Sequence, residues 1–203
     1  QGGKLENHQW GADHGLGLND LGIGSVDIIK GPASLLYGSG ALGGVLVMND
    51  DQQYLYQSGV SGNIGTTINS VSSGVRTYGS VGKRWDNGYF LAMDAAYENH
   101  ADYFYGNNRL IGNSRFNTTT LRLHSGYHSG DYKARISYSF NQQNLGIIED
   151  DEMEESLATF RGDRNMQLPF QDVTDHIVSI MQQYRINDLW TTQADVVFHH
   201  NDR

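Results

Sequence analysis

Residues 87–100 read NGYFLAMDAAYENH. Tyr89, Leu91, Met93, Ala95 and Tyr97 fall on one parity; Phe90, Ala92, Asp94, Ala96 and Glu98 fall on the other. A period of two is that of a β-strand, whose successive side chains point to opposite faces. The first face is apolar and carries a tyrosine at each end. The second mixes small apolar residues with carboxylates.

The same alternation recurs along the chain. In residues 132–140, Tyr132, Ala134, Ile136, Tyr138 and Phe140 oppose Lys133, Arg135, Ser137 and Ser139. In residues 190–199, Trp190, Thr192, Ala194, Val196 and Phe198 oppose Thr191, Gln193, Asp195, Val197 and His199. Leu121, Leu123 and Tyr127 oppose Arg122 and His124. Less regular strands are predicted over about 57–69, 74–85 and 173–186. Three apolar faces place aromatics eight residues apart: Tyr89/Tyr97, Tyr132/Phe140 and Trp190/Phe198. At ~3.3 Å per residue that spacing covers ~26 Å along a strand. A tilt of ~40° leaves roughly 20 Å along a membrane normal, close to the apolar band of an outer-membrane barrel. The competing reading is a soluble β-sandwich with one buried face, but sandwich strands are commonly about 5–6 residues long. The strands predicted here run to about 10–13.

Turn signals divide the strands unevenly. DNG near Asp86, SGD near Ser129 and ND at Asn187 predict tight turns, while residues 100–116 and 144–172 predict long links. Short turns at one end and long loops at the other is the habit of outer-membrane barrels. The short VSSG at Val71 is an exception on the long side. The 2 prolines, 12 tyrosines and 25 glycines in 203 residues suit long strands joined by turns. No run of eighteen apolar residues is present, so no membrane-spanning helix is predicted; strands escape that test. A net charge of −9 argues against nucleic acid as a partner. The absence of cysteine excludes disulfides, thiolate metal sites and a cysteine nucleophile from this segment. The opening QGGKLENHQW has neither an initiator Met nor a signal peptide, which predicts a piece of a longer chain.

Residues 30–50, KGPASLLYGSGALGGVLVMND, contain G-x-G-x-x-G at Gly38, Gly40 and Gly43. A dinucleotide fingerprint needs a helix to open at those glycines. Here they run into Val45, Leu46 and Val47, so nucleotide binding is rejected. A local account fits better. Residues 25–30 form a strand, Pro32 starts one helical turn, Gly38 stops it, and Gly43 and Gly44 bend the chain into a strand over 45–48.

The order Ile28, Lys30-Gly31-Pro32, Ser34, Tyr37-Gly38, Gly43-Gly44-Val45 and Asn49 resembles the end of the plug domain of TonB-dependent outer-membrane receptors. Asp27 and Lys30 stand where Glu and Arg are common in that family. The resemblance implies a mainly β fold: residues 1–50 as the C-terminal part of a plug domain, and 51–203 as about seven antiparallel transmembrane strands of a roughly 22-stranded barrel. It implies a bacterial outer-membrane location. It also implies energised uptake of a scarce ligand: a ferric siderophore, haem, cobalamin, another metal complex or a glycan. The implied partners are outer-membrane lipid and an inner-membrane TonB-type complex acting through a segment upstream of this one. No resident cofactor is expected. A surface β-sheet receptor or adhesin that transports nothing is the alternative.

The resemblance places a ligand-contacting loop at His8, Gln9, Trp10, Asp13 and His14. Trp can stack on a flat ligand, while His and Asp can hydrogen-bond it or bind metal. His8 and His14 lack a regular metal-ligand spacing. Residues 149–156, EDDEMEES, offer carboxylates for Ca²⁺ but lack the EF-hand order, which favours a solvated acidic loop. His199 and His200 are adjacent on a strand and are expected on opposite faces, one lumenal and one interfacial. Arg122, His124, Arg135 and Asp195 are expected to line the lumen. No G-x-S-x-G elbow or other catalytic set is present, so no enzymatic activity is expected. Seven such strands alone leave two edges unpaired in lipid.

Overall fold

Seven long strands lie side by side in chain order, each antiparallel to the next, as expected from the period-two segments. The computed structural model describes residues 21, 23–37, 43–50, 58–105, 109–148 and 163–203. The strands are β1 (Ile23–Ile29), β2 (Val45–Asp50), β3 (Gly59–Asn69), β4 (Gly74–Arg84), β5 (Tyr89–His100), β6 (Phe104–Tyr105), β7 (Arg109–Leu110), β8 (Phe116–Ser129), β9 (Tyr132–Gly146), β10 (Phe170–Arg185) and β11 (Thr191–Asp202). A 3₁₀ turn, Pro32–Tyr37, is the single helical element among the described residues. The large sheet runs β3-β4-β5-β8-β9-β10-β11 and is open, with β3 and β11 as its edges.

The two faces of this sheet have opposite chemistry, and the polar one is the buried one. Ile64 is 84% exposed, Phe198 65% and Tyr89 57%, while on the other face Asp94 is 8%, His124 5% and Thr120 3%. Water-soluble sheets bury their apolar face, because removing apolar area from water is the main favourable term in folding. Here Val60, Ile68, Leu91, Met93, Ile136, Ile180 and Val196 all point outward and stay exposed.

Aromatic rings mark both limits of the apolar face. At the short-turn end, Tyr89, Tyr127, Tyr132 and Tyr184 form a chain of rings with centroids 4.9, 6.2 and 6.5 Å apart, crossing four strands. Eight residues further along β9 and β10, Phe140 and His176 stand with centroids 5.3 Å apart, and His176 is 6.3 Å from His200. The β9–β10 register, Tyr132 opposite Tyr184 and Phe140 opposite His176, holds the two rows at constant separation.

The strands outrun the expected 10–13 residues. β8, β9 and β10 have 14, 15 and 16. Their extra length lies beyond the second aromatic row, where Asn117, Thr118 and Thr119 pair with Asn144, Gln143 and Gln142. Ladder hydrogen bonds join backbone to backbone and do not require apolar side chains, so pairing continues where the alternation has faded.

The segment before the sheet forms its own hairpin. β1 pairs antiparallel with β2, Ile29 opposite Val45 and Ile28 opposite Leu46. Gly31 (φ 77°) and Gly44 (φ 127°) adopt left-handed backbone at the ends of the connection. A Cβ on Gly44 would lie 2.9 Å from the Ile29 carbonyl oxygen. Gly44→Ala is therefore expected to cost about 1–3 kcal/mol through strain at positive φ. Faster amide exchange in β1 and β2, with the long sheet unchanged, is the expected readout; an unchanged hairpin would refute it.

Candidate functional site

The buried polar face carries a set of cross-strand contacts. His124 on β8 bonds through Nδ1 to Ser137 Oγ on β9 at 2.9 Å, and its Nε2 lies 3.5 Å from Asp94 Oδ2 on β5. Arg122 Nη1, beside them, donates to the backbone carbonyl of Leu21. That bond links the segment before β1 to the middle of the large sheet. On the last strand pair, Asp175 Oδ1 meets His199 Nε2 at 2.8 Å and accepts from Asn201 Nδ2 at 2.8 Å. His199 and His200 thus fall on opposite faces, His200 among the outward aromatic rings. Arg122, His124 and Arg135 lie on the polar face as expected. Asp195 lies there too, exposed on the edge strand, and accepts from Gln193 Nε2 at 2.6 Å.

At the long-connection end, three links are tied to one another. Arg115 is fully buried, and its N and Nε each donate to Asp102 Oδ1 at 3.0 Å while Nη2 donates to Asp102 Oδ2 at 2.5 Å. Its Nη1 donates to the Asn165 carbonyl at 2.6 Å and sits 3.0 Å from Asp163 Oδ2. Asn113, at φ 54°, donates from Nδ2 to the carbonyls of Ile147 (2.9 Å) and Pro169 (2.7 Å). Arg164 Nη2 donates to the Ser73 carbonyl at 2.6 Å, and the Ala101 and Phe104 amides donate to the Ser72 and Val71 carbonyls. Residues 70–73, 101–105, 109–115 and 163–169 therefore form one clasp. The fork geometry of Arg suits it, since five donors meet two carboxylates and a carbonyl.

Burial alone would lower the Arg115 pKa, but hydrogen bonds and charge from Asp102 and Asp163 outweigh it and raise it. The Asn165 backbone N–H, aided by Arg115, holds Asp163 below the ordinary carboxylate value. A carboxylate depressed on folding stabilises the fold above its unfolded pKa of about 3.9 and loses that contribution as pH falls through the lower folded value. Protection of the Asn165 amide from exchange is thus expected to hold from pH 7 to about 4 and to fall only below that. Loss of protection near pH 6 would instead implicate a histidine.

His8, Gln9, Trp10, Asp13 and His14 lie outside the described residues, as do Gly38 and the acidic residues 149–156. Lys30 is exposed at the end of β1; Gly31 follows it; Pro32 opens the 3₁₀ turn, which contains Ser34 and ends at an exposed Tyr37. Gly43 and Gly44 lead into β2. Asn49 Nδ2 donates to Asp27 Oδ2 at 2.8 Å and to Ser25 Oγ at 3.1 Å, joining two strands whose pairing no sequence signal announced. The Arg115–Asp102 pair was likewise missed. It becomes visible only once the register puts His100 opposite Phe116, which brings the residues that follow and precede them together.

No protein-family model matches this chain, and no curated protein matches it. Among the described residues, no helix is long and apolar enough to cross a membrane.

Proposed function

We propose that this chain is part of a bacterial outer-membrane β-barrel receptor: the end of a plug domain followed by the first barrel strands. In this reading it takes up a scarce small ligand, such as a ferric siderophore, haem, cobalamin or another metal complex, with energy from a TonB-type partner. The observation that carries the reading is the inversion of the sheet, whose apolar face is exposed between two aromatic rows while Asp94, His124, Ser137 and Thr120 on the other face are buried. Lipid is the solvent in which that arrangement is favourable, because aliphatic side chains lose nothing there and the opposite face keeps its polar partners. Three further features support it. Short turns lie at one end of the sheet and long connections at the other. The K-G-P turn and the paired glycines sit in one β-hairpin directly before the sheet. The Arg122 bond to Leu21 ties the segment before that hairpin to the polar face. The clasp at the long-connection end supplies a stiff base for ligand-binding loops, which would be exposed outside the cell.

Two measurements test the proposal. The full-length protein is expected in the outer-membrane fraction, and deletion of its gene is expected to abolish uptake of at least one chelate supplied at limiting concentration. Recovery as a soluble protein would overturn the membrane reading. Outer-membrane recovery with unchanged uptake of every chelate tested would overturn transport and favour a surface receptor.

A further inference from the structure

We infer that Glu98 and His100, at the long-connection end of the polar face, form half of a divalent transition-metal site. The inference rests on side-chain geometry and does not depend on the transport reading. The His100 ring is fixed on both faces and at one edge. Phe116 stacks on it with centroids 4.3 Å apart and planes 10° from parallel. The opposite strand approaches so closely that a Cβ on Gly74 would lie 2.1 Å from His100 Nδ1. Ser72 Oγ holds Nδ1 at 2.7 Å.

The remaining ring nitrogen, Nε2, is buried and has no hydrogen-bond partner among the described residues. Its nearest charged neighbour is Glu98 Oε2 at 3.5 Å, too far for a good hydrogen bond. Two ligands each about 2.0–2.1 Å from a four-coordinate Zn²⁺ stand roughly 3.3–3.5 Å apart, which matches this separation. Thr118, directly across the ladder from Glu98, carries a buried hydroxyl that also has no hydrogen-bond partner among the described residues. A water on the metal would give it one, as outer partners of metal sites do. On the other side of Glu98 lies Arg76, whose guanidinium stands over the Tyr78 ring at 5.5 Å. The Glu98 side chain is 24% exposed, so its carboxylate is open to solvent.

His124 has a similar carboxylate 3.5 Å from Nε2, but its nitrogen is not among the buried atoms lacking a partner. The unsatisfied nitrogen singles out His100. Among the described residues no three His, Asp or Glu side chains converge on one point, so water or an incoming ligand fills the other positions. An imidazole and a carboxylate with exchangeable positions suit Zn²⁺ or Co²⁺ better than Ca²⁺ or Mg²⁺, which prefer all-oxygen shells.

The test is Zn²⁺ titration by calorimetry, and X-ray absorption of the bound ion, on the full-length protein in detergent. One ion per chain with one imidazole in its first shell is expected. Glu98→Gln and His100→Gln should each weaken Zn²⁺ binding at least tenfold, while His176→Gln, on the outward face, should leave it unchanged. If His100→Gln fails to fold, Glu98→Gln decides, since it keeps the shape of a partly exposed side chain. Wild-type protein that retains no Zn²⁺, a first shell without imidazole, or a Glu98→Gln variant that binds as tightly as wild type would each overturn the inference.

Discussion

Arg115→Ala is expected to destabilise the long-connection end by about 3–5 kcal/mol, among the largest effects of any single substitution in this chain. The cause is less the lost bonds than what they leave behind. Asp102 has a side chain only 4% exposed, and Arg115 supplies three of its hydrogen bonds. The backbone N–H survives the substitution, but the guanidinium charge does not. A buried carboxylate without its counter-charge bears a desolvation cost of several kcal/mol. The Asn165 carbonyl and Asp163 lose their partner at the same time. Arg115→Lys should fall between, because a single ammonium cannot serve two carboxylates and a carbonyl in one plane. Replacing both members together, Arg115→Met with Asp102→Leu, should recover most of the loss, since the one carboxylate left without its partner, Asp163, has a side chain 27% exposed and reaches water. Hydrogen exchange at residues 101–115 and 163–169 reads these changes directly. A loss below about 1 kcal/mol for Arg115→Ala would show the pair to be a surface contact instead.

Met93→Lys is expected to cost about 2–4 kcal/mol in lipid. Met93 lies midway between Tyr89 and Tyr97 on the apolar face, the depth at which a charge has the longest path to water. The same side chain is 42% exposed, so a soluble sheet would accept lysine there at little cost. The two environments thus predict opposite outcomes for one substitution. Folded yield in lipid vesicles should drop for Met93→Lys and hold for a substitution to leucine. Equal yields would argue that the apolar face never meets lipid.

The strands were legible because each face needs only two-residue periodicity, and the apolar parity of residues 89–97, 132–140 and 190–198 stands out against polar neighbours. The three tight turns were legible for a related reason: Gly, Asn and Asp are required where the chain reverses in few residues. Strand ends were harder. Residues 141–144 and 117–120 are Asn, Gln and Thr on both parities, so nothing in them marks the ladder that they continue. The polar network was partly legible. Arg122, His124 and Arg135 could be placed on a face, but their partners could not, since Asp94 and Ser137 meet His124 only through the register of three strands. The clasp depends on contacts across long links, such as Arg115 with Asn165, where no periodicity operates.

The register of the first hairpin has a mechanical consequence. Ile23 faces Asp50, so the start of β1 and the end of β2 lie at the same end of the ladder. A pull applied to the chain ahead of β1, with the large sheet held fixed, would load the outermost rung first and open the pairs one after another. Were the two ends at opposite ends of the hairpin, all rungs would resist together in shear. The hairpin is therefore built to peel at low force, from the rung at Ile23 and Asp50 toward the turn at Pro32.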